Sequence, residues 1–184
     1  MDVSSIRNTA KDYRNSLLDE DYDELSSKVR DNLTSILIKH SDIRRVLCYY
    51  PLEKEVRLLP LYEDMLEKGY ELYFPITYTS DIKFYRVFSL KNFKEGKFRV
   101  FEPVDTSYPL DETTQNGICI IPGLAFSKDF HRIGYGAGYY DRFLKDKNLI
   151  KIGTCFEGQF FEIEPEEHDV DMDYIVTNDH IYSK

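Results

Sequence analysis

The residues whose types and spacing best suit chemistry lie in one segment, residues 122–141, with the sequence PGLAFSKDFHRIGYGAGYYD. Between Arg132 and Asp141 this segment carries glycines at alternate positions: Gly134, Gly136 and Gly138. Alternating glycines let a backbone turn tightly and present its N–H groups to an anion. Arg132 would add a cation and Asp141 a candidate metal ligand. The segment therefore predicts a nucleotide-phosphate site.

This glycine loop matches neither of the two common phosphate-binding fingerprints. The pattern G-x-G-x-x-G needs glycine or alanine where Tyr139 stands, and the Walker pattern needs Gly-Lys-Ser or Gly-Lys-Thr. A tight turn that requires positive φ angles would explain the glycines equally well. Arg132 and Asp141 favour the phosphate site, because anions bind at helix N-termini and ligands collect beyond strand ends. Asp141 could hold Mg²⁺ or complement the dipole of the next helix.

Other charged residues stand where they could reach such a site. Lys11 and Arg14 share one face of the first predicted helix, where the alternative to binding an anion is surface solvation. Glu55 follows an apolar strand at its carboxyl end, the ligand side of a parallel sheet, and its alternative role is to complement a helix dipole. These residues are therefore secondary candidates.

The acidic segment 162–173, EIEPEEHDVDMD, is mostly expected to be a solvated face. Asp169, Asp171 and Asp173 alternate with apolar residues as the chain approaches a predicted strand. One of these acids could point into a site, and the alternation alone does not decide which. His168 is expected to lie at the surface or behind the site rather than to act in catalysis.

Composition limits the class of protein. A chain of 184 residues predicts one domain, spanning residues 1–184, and its net charge of −9 argues against nucleic acid as a partner. The chain has no apolar run of membrane-spanning length and no signal-peptide core, so we expect a cytoplasmic protein without a membrane partner. Three separated cysteines in apolar surroundings predict buried, reduced thiols: Cys48, Cys119 and Cys155.

Helical and strand-like patterns alternate along the chain. Apolar periodicity predicts four helices: Ser5–Leu18, Asp23–His40, Glu53–Lys68 and Ala137–Lys147. Apolar runs predict five strands: Arg45–Tyr50, Glu71–Ile76, Gly117–Ile121, Leu149–Cys155 and Asp173–Thr177. Two shorter alternating segments predict edge strands or a hairpin: Lys83–Phe88 and Lys97–Phe101. The pattern predicts a three-layer, Rossmann-like α/β fold with a mainly parallel central sheet flanked by helices.

The motif PGLAF…RIGYGAGYYDRFL resembles the signature of the 5-formyltetrahydrofolate cyclo-ligases, also called methenyltetrahydrofolate synthetases. Weaker marks of that family follow in the expected order along the whole chain: Lys11-x-x-Arg14, Tyr50-Pro51, Glu55-Val56, Phe74-Pro75, Glu102-Pro103, Glu167-His168-Asp169 and Val176-Thr177. The glycine motif is specific, and the other marks add consistency.

The resemblance implies a carbon–nitrogen bond-forming ligase. It would convert 5-formyltetrahydrofolate, with or without a polyglutamate tail, into 5,10-methenyltetrahydrofolate, with ATP as co-substrate and Mg²⁺ as cofactor. In that reaction the formyl oxygen attacks the γ-phosphate, N10 closes the ring, and phosphate leaves. The resemblance also leads us to expect a monomer.

The resemblance also implies roles for particular residues. The ATP site would comprise Lys11, Arg14, Arg132, Ile133, Gly134, Tyr135, Gly136, Ala137, Gly138, Tyr139 and Tyr140. The folate site would comprise Tyr50, Glu55, Tyr135, Gly136, Ala137, Gly138 and Tyr139. Arg132 and Tyr139 would be catalytic, and Asp141 and Asp169 would hold Mg²⁺. The family thus selects Asp169 from the acids that the alternation leaves undecided.

Three residues depart from the family pattern. Ala137 stands where bacterial members usually have glycine, Ser127 where aspartate is common, and Phe130 in place of a turn glycine. These departures keep a second hypothesis open, a non-catalytic relative that binds folate or nucleotide. A third hypothesis is a different enzyme on a related sheet, acting on a sugar phosphate or an acyl-coenzyme A, and no particular residue supports it.

Overall fold

A seven-stranded mixed sheet forms the centre of this computed structural model, which describes residues 1–184. The eleven strands of the chain are β1 (Arg45–Leu47), β2 (Glu71–Thr77), β3 (Ile82–Val87), β4 (Phe93–Glu95), β5 (Phe101–Pro103), β6 (Ile118–Pro122), β7 (Ala125–Phe126), β8 (Arg132–Ile133), β9 (Ile150–Thr154), β10 (Tyr174–Val176) and β11 (Ile181–Ser183). The main sheet has the order β11-β10-β9-β6-β1-β2-β3. Its five inner strands are parallel, and β3 and β11 are antiparallel edges.

Helices cover both faces of the sheet, which confirms the predicted three-layer α/β fold. They are α1 (Val3–Ser16), α2 (Asp19–Lys39), α3 (Leu59–Glu67) and α4 (Tyr139–Leu144). Alternate strand residues face opposite layers, as the pleat requires: Val46 packs in the cluster with α2 and α3, and Leu47 in the cluster with α4. The third cluster joins α1 to β7 and β8 beyond the carboxyl ends of the inner strands.

The predicted helix Glu53–Lys68 begins too early. The observed helix α3 starts six residues later and has Pro60 in its first turn. Proline has no backbone N–H, but N–H groups in the first turn of a helix have no partner within the helix, so no helical hydrogen bond is lost. The preceding residues are instead tied to α2, because the Tyr22 hydroxyl donates to the backbone carbonyl of Glu55 at 2.6 Å. Lys54 adopts a left-handed backbone (φ 63°), which no helix would accommodate. Glu55 therefore lies in a loop.

The two segments predicted as edge strands or a hairpin do not pair with each other. The segment Lys83–Phe88 forms β3 and pairs with β2, whereas a separate hairpin joins β4 and β5. The segment Lys97–Phe101 supplies the turn of that second hairpin, where Phe98 and Arg99 are left-handed (φ 57° and 59°). The chain must reverse there so that β5 can pair with β4, and a strand cannot continue through the reversal. The strand β4, the two-residue strands β7 and β8, and the edge strand β11 were not predicted.

Buried, reduced thiols are confirmed at all three cysteines, which are free and buried. Burial raises the pKa of Cys119 to about 12, so its thiol stays protonated and unreactive near neutral pH. None of the helices is long and apolar enough to cross a membrane.

The ring of Phe126 fixes the β7–β8 hairpin against the sheet. Phe126 is fully buried, and its ring lies over two glycines whose missing side chains make room for it. A Cβ atom would come within 2.6 Å of this ring at Gly123 and within 2.3 Å at Gly153. Because Arg132 opens β8 of the same hairpin, this contact also sets the position of the glycine loop.

We expect Gly153→Ala to lower the free energy of unfolding by about 1–3 kcal/mol, because the new methyl group must displace the Phe126 ring. Urea denaturation measures this loss. Phe126→Leu provides the control: when combined with Gly153→Ala, it should cost less than the sum of the two single changes. Additive costs would show that the glycine does not accommodate the ring.

Candidate active site

The candidate site lies at the carboxyl ends of the parallel strands β1, β6 and β9. From β1 the chain proceeds to β2 on one side and later returns to β6 on the other, so the strand order reverses between β1 and β6. Ligands of open α/β sheets bind at such switch points. A small cleft, too narrow to hold a water molecule, lies there, and its polar lining consists of Arg14, Tyr49, Glu55, Thr154 and Gln159.

A buried ion pair forms the floor of this cleft. Arg14 and Glu55 are only 6% and 5% exposed, and Nη1 of Arg14 lies 3.7 Å from Oε1 of Glu55. The hydroxyl of Tyr135 bridges the pair, since it donates to Glu55 Oε1 at 2.7 Å and accepts from Arg14 Nη2 at 3.0 Å. Burial, followed by the nearby carboxylate, raises the pKa of Tyr135, so the phenol remains a donor. Nε of Arg14 is buried without a partner.

The buried stripe of α1 carries Arg14 into the cleft. Asp2 caps the helix by accepting from the backbone N–H of Ser5 at 3.0 Å. Ile6, Ala10 and Arg14 follow at intervals of four residues and are the buried residues of the helix. Since positions four apart share a helix face, the two apolar residues dock α1, and the third points the guanidinium inward.

The loop after β1 holds Glu55 rigidly. Oε2 of Glu55 accepts from the backbone N–H of Leu52 at 2.9 Å, and the backbone N–H of Glu55 donates to the carbonyl of Leu52 at 3.1 Å. Beside it, the hydroxyl groups of Tyr49 and Thr154 are 2.8 Å apart. Burial raises the pKa of Tyr49 well above its ordinary value, so this group also stays neutral.

Two of the three glycines in the loop require left-handed backbone angles. Gly136 has φ 102° and Gly138 has φ 65°, and Gly138 stands at the N-terminus of α4. This is why α4 begins at Tyr139, later than the predicted start at Ala137. Ala137 is exposed and has no positive φ, so its methyl group fits the loop without backbone strain.

A third cation, Arg7, joins the predicted pair on α1. Its Nε donates to the carbonyl of Gly134 at 2.9 Å, and Lys11 Nζ lies 6.0 Å from the ring centre of Tyr135. Positions 7, 11 and 14 share one helix face. Sequence reasoning missed Arg7, although this spacing was available to find it. The outer two cations face the glycine loop, whereas Arg14 lies beneath it.

Arg132 and Asp141 form a second ion pair at the base of the loop. Nη2 of Arg132 lies 3.0 and 2.9 Å from the two carboxylate oxygens of Asp141, and Nη1 donates to the carbonyl of Pro122 at 3.3 Å. Both side chains are largely buried, at 6% and 15% exposed. Arg132 therefore ties the start of the loop to the first turn of α4 and neutralises Asp141.

The β4–β5 hairpin connects two tyrosines predicted to face folate. Tyr50 packs against the rings of Phe93 and Phe101, with ring centres 5.0 and 5.1 Å apart. Tyr139 meets Phe98 at the hairpin tip, with ring centres 6.4 Å apart. The hairpin therefore spans the mouth of the site between Tyr50 and the glycine loop.

The two predicted metal ligands are not brought together. Asp169 caps its own turn, where Oδ2 accepts from the backbone N–H of Glu166 at 2.8 Å, and no hydrogen bond or ion pair joins it to Asp141. No group of three or more His, Cys, Asp or Glu side chains could hold a metal ion. The metal assignments at both aspartates stay predictions. His168 is exposed at the surface.

The other two alternating acids have structural partners. Oδ1 of Asp171 lies 2.8 Å from Nδ1 of His131, and Oδ2 accepts from Lys184 at 2.7 Å. Asp173 accepts from the backbone N–H of Lys151 at 2.8 Å. These contacts fix the C-terminal strands to the chain around β8 and β9.

The turn before β8 retains a tight shape despite its unusual residues. Ser127 Oγ accepts from the backbone N–H of His131 at 3.2 Å. Phe130 adopts a left-handed φ of 70°, a conformation that glycine would reach freely and that strains a bulky residue.

A larger cleft of about 1180 Å³ lies beside the N-terminal end of α1, and the sequence did not predict it. Its apolar floor is formed by Val3, Ile6, Ile133, Phe160, Phe161 and Ile163. The rim is mostly acidic, with Asp2, Asp129, Glu162, Glu164 and Glu166, and includes one lysine, Lys128. A flat, uncharged ring with N–H donors would suit this lining.

A family model described as the 5-formyltetrahydrofolate cyclo-ligase family matches residues 2–178. The chain belongs to the 5-formyltetrahydrofolate cyclo-ligase family. It is an enzyme of that family, a ligase of folate one-carbon metabolism. The suspected resemblance is thereby confirmed.

Two curated relatives show how far the similarity extends. The 5-formyltetrahydrofolate cyclo-ligase of Mycoplasma genitalium is 30% identical over 184 residues, which covers 97% of this chain and 99% of the relative. The protein of the same name from Saccharomyces cerevisiae is 29% identical over 189 residues, covering 86% and 88%. The similarity is thus not confined to the glycine loop.

Solved structures agree with the fold. The NMR structure of Aquifex aeolicus 5,10-methenyltetrahydrofolate synthetase matches with a TM-score of 0.85 at 33% identity, covering 100% of this chain and 93% of that one. The 5,10-methenyltetrahydrofolate synthetase of Mycoplasma pneumoniae matches with a TM-score of 0.80 at 22% identity, covering 97% and 99%. At that identity the second match supports the fold alone.

We expect Asp141→Asn to lower the free energy of unfolding by about 1–3 kcal/mol, because it removes the charged partner of a buried guanidinium. Urea denaturation of the ligand-free protein measures this. Asp42→Asn is the control, since Asp42 is exposed and has no side-chain partner. Equal stability of the two variants would contradict a structural role for the Arg132–Asp141 pair.

Proposed function

We propose that this chain cyclises 5-formyltetrahydrofolate to 5,10-methenyltetrahydrofolate in a reaction that consumes ATP, requires Mg²⁺ and passes through a phosphorylated intermediate. The observation that carries the proposal is the buried Arg14–Glu55 pair, which lies at the sheet's switch point directly beneath the glycine loop. This arrangement puts a carboxylate that can bind pterin N–H groups next to a backbone that can bind phosphate. Membership of the family supplies the reaction.

The phosphates of ATP would lie along the glycine loop. Arg7 and Lys11 face this loop from α1, and the guanidinium groups of Arg7 and Arg142 lie beside Gly136 and Gly138, where they could bind the same phosphates as the backbone N–H groups. The adenosine would occupy the larger cleft beside Val3, whose apolar floor suits a purine ring and whose acidic rim suits its amino group. The phosphates would then extend past Ile133 to the glycine loop.

The folate would enter beneath the β4–β5 hairpin. Glu55 would accept hydrogen bonds from the pterin, and Tyr50 and Tyr139 would contact the rings from opposite ends of the hairpin. This orientation would direct the formyl group toward the glycine loop and leave the glutamate end near the solvent. Whether the tail is polyglutamylated stays a prediction, as do the monomeric state and the lack of nucleic-acid and membrane partners.

In the proposed chemistry, the formyl oxygen forms a bond to the γ-phosphorus and ADP leaves. N10 then attacks the activated formyl carbon, loses its proton, and expels inorganic phosphate. Phosphorylation is needed because the oxygen of a formamide is otherwise a poor leaving group. Arg132 and Tyr139 stay the predicted catalytic residues: the first would neutralise phosphoryl charge, and the second would hold the folate. Positioning and charge neutralisation would supply most of the rate enhancement.

The residues present suit a Mg²⁺ ion that arrives with the nucleotide, and not a resident metal. Mg²⁺ at nucleotide sites is commonly held by one or two carboxylates together with phosphate oxygens. Asp141 stands in the first turn of α4, next to the loop, and could supply one such oxygen. Asp169 is engaged in its own turn and would have to move. The ion would neutralise phosphate charge.

One observation favours the alternative, a non-catalytic relative that binds folate or nucleotide. Arg132 and Asp141 are paired with each other, so neither is free for phosphate or metal in this state. A relative of this kind would bind ligands and be stabilised by them without forming product.

Turnover separates the two proposals. The protein incubated with 5-formyltetrahydrofolate, ATP and Mg²⁺ should generate the absorbance of the methenyl product, because ring closure extends the conjugated system. Asp141→Asn should strongly reduce the rate and weaken its dependence on Mg²⁺. Folded parent protein that binds both ligands and yields no product at any pH would establish the non-catalytic alternative.

The cations of α1 predict a second kinetic effect. Arg7→Ala and Lys11→Ala should each raise the KM for ATP by about tenfold, the cost of losing a charged hydrogen bond. The KM for 5-formyltetrahydrofolate should change little. Lys39→Ala is the matched control, because Lys39 ends α2 at the opposite edge of the sheet. An ATP affinity equal to that of the control would reject the phosphate role.

A further inference from the structure

Tyr135 reaches from an exposed loop into the buried cleft. Its side chain is 46% exposed, yet its hydroxyl contacts two residues that are almost fully buried, Arg14 and Glu55. This one oxygen atom is both a donor to the carboxylate and an acceptor from the guanidinium. The cleft is thus closed by a group that forms hydrogen bonds to both charged side chains.

Arg14 is poorly placed to bind phosphate. Its guanidinium lies 3.7 Å from the Glu55 carboxylate, so a phosphate held there would face a buried negative charge. Arg7 and Lys11, by contrast, face the loop directly. Moreover, Nε of Arg14 is buried without a hydrogen-bond partner. Nη2 of Arg14 donates only to the Tyr135 hydroxyl, so it becomes available to a ligand if Tyr135 moves away. The N–H donors of Arg14 next to the accepting carboxylate of Glu55 suit a neutral ligand that offers an acceptor beside a donor.

We propose that Arg14 and Glu55 together recognise the lactam edge of the pterin through hydrogen bonds. The Tyr135 hydroxyl occupies the positions of the pterin's hydrogen-bonding groups until the pterin displaces it. The proposal rests on the proposed function. Arg14 would donate to the ring carbonyl, and Glu55 would accept from the adjacent ring N–H and the amino group. The expectation that Arg14 contacts ATP phosphates is replaced by a role in folate specificity.

The contacts of Glu55 and the glycines beside Tyr135 support the replacement of the Tyr135 hydroxyl by the pterin. Oε2 of Glu55 is fixed by the Leu52 N–H, so the departure of Tyr135 frees Oε1 specifically. Leaving a buried charge without its hydrogen bond is costly, which explains why the Tyr135 hydroxyl contacts both Arg14 and Glu55. Tyr135 is flanked by Gly134 and Gly136, and the left-handed backbone of Gly136 gives it a point about which it can turn outward.

The test compares the binding of two ligands, folic acid and its 4-amino analogue, in which an amino group replaces the ring carbonyl and the adjacent ring nitrogen loses its hydrogen. The parent protein should prefer folic acid, because the analogue opposes Arg14 with a donor and Glu55 with a ring lone pair. In Arg14→Gln the side-chain amide can accept from the new amino group, so the ratio of the analogue's dissociation constant to that of folic acid, both measured by calorimetry, should fall by about tenfold or more. A ratio is unaffected by the fraction of protein that folds.

Arg7→Gln is the matched control, the same change two turns earlier on the same helix face. It should weaken ATP binding and leave the ratio of the two dissociation constants as in the parent protein. An unchanged ratio in Arg14→Gln, or an equal fall in both variants, would overturn the assignment of Arg14.

A second variant tests whether the Tyr135 hydroxyl competes with the pterin. Tyr135→Phe keeps the ring and removes the competing hydroxyl, so folic acid should bind about threefold to tenfold more tightly in calorimetry without nucleotide. Unchanged or weaker binding would overturn the role of Tyr135. These results are separable from the proposed function: absence of product together with the predicted ratio of dissociation constants would reject the activity and leave the pterin assignment standing.

Discussion

The buried ion pair between Arg14 and Glu55 is the constraint on which the site depends. Charges this deep need each other, because removing either one would leave the other uncompensated in a poorly hydrated interior. The pair joins the end of α1 to the loop after β1, and Tyr135 adds the glycine loop to the same cluster. Three segments distant in sequence are thereby held at one edge of the sheet.

The fold brings these segments together in two steps. Apolar packing docks α1 through Ile6 and Ala10, and the Phe126 ring seats the β7–β8 hairpin over Gly123 and Gly153. Polar contacts then set the side chains, since Leu52 orients Glu55 and Pro122 orients Arg132. Hydrophobic burial supplies the bulk of the stability, and the hydrogen bonds determine which way the charges point.

Sequence patterns predicted what depends on local or periodic signals. The continuous apolar run of β6 indicated a buried parallel strand, and the spacing within residues 122–141 indicated the loop and its helix. These patterns could not predict that the chain around Glu55 is a loop, not a helix. The hydrogen bond from the Tyr22 hydroxyl to the Glu55 carbonyl joins residues far apart in sequence. The bridging role of Tyr135 depends on a partner eighty positions away, beyond any periodic signal.

Both buried cationic centres of the site have a carboxylate partner within the chain. Arg14 is paired with Glu55, and Arg132 with Asp141, within a chain whose net charge is −9. A highly charged nucleotide would therefore gain its first attraction from Arg7 and Lys11, which have no acidic partner. Its phosphates, or a metal ion carried with them, would then compete for Arg132 and Asp141. Because each exchange replaces one satisfied charge pair with another, the site can accept anionic ligands without passing through a state that buries an isolated charge.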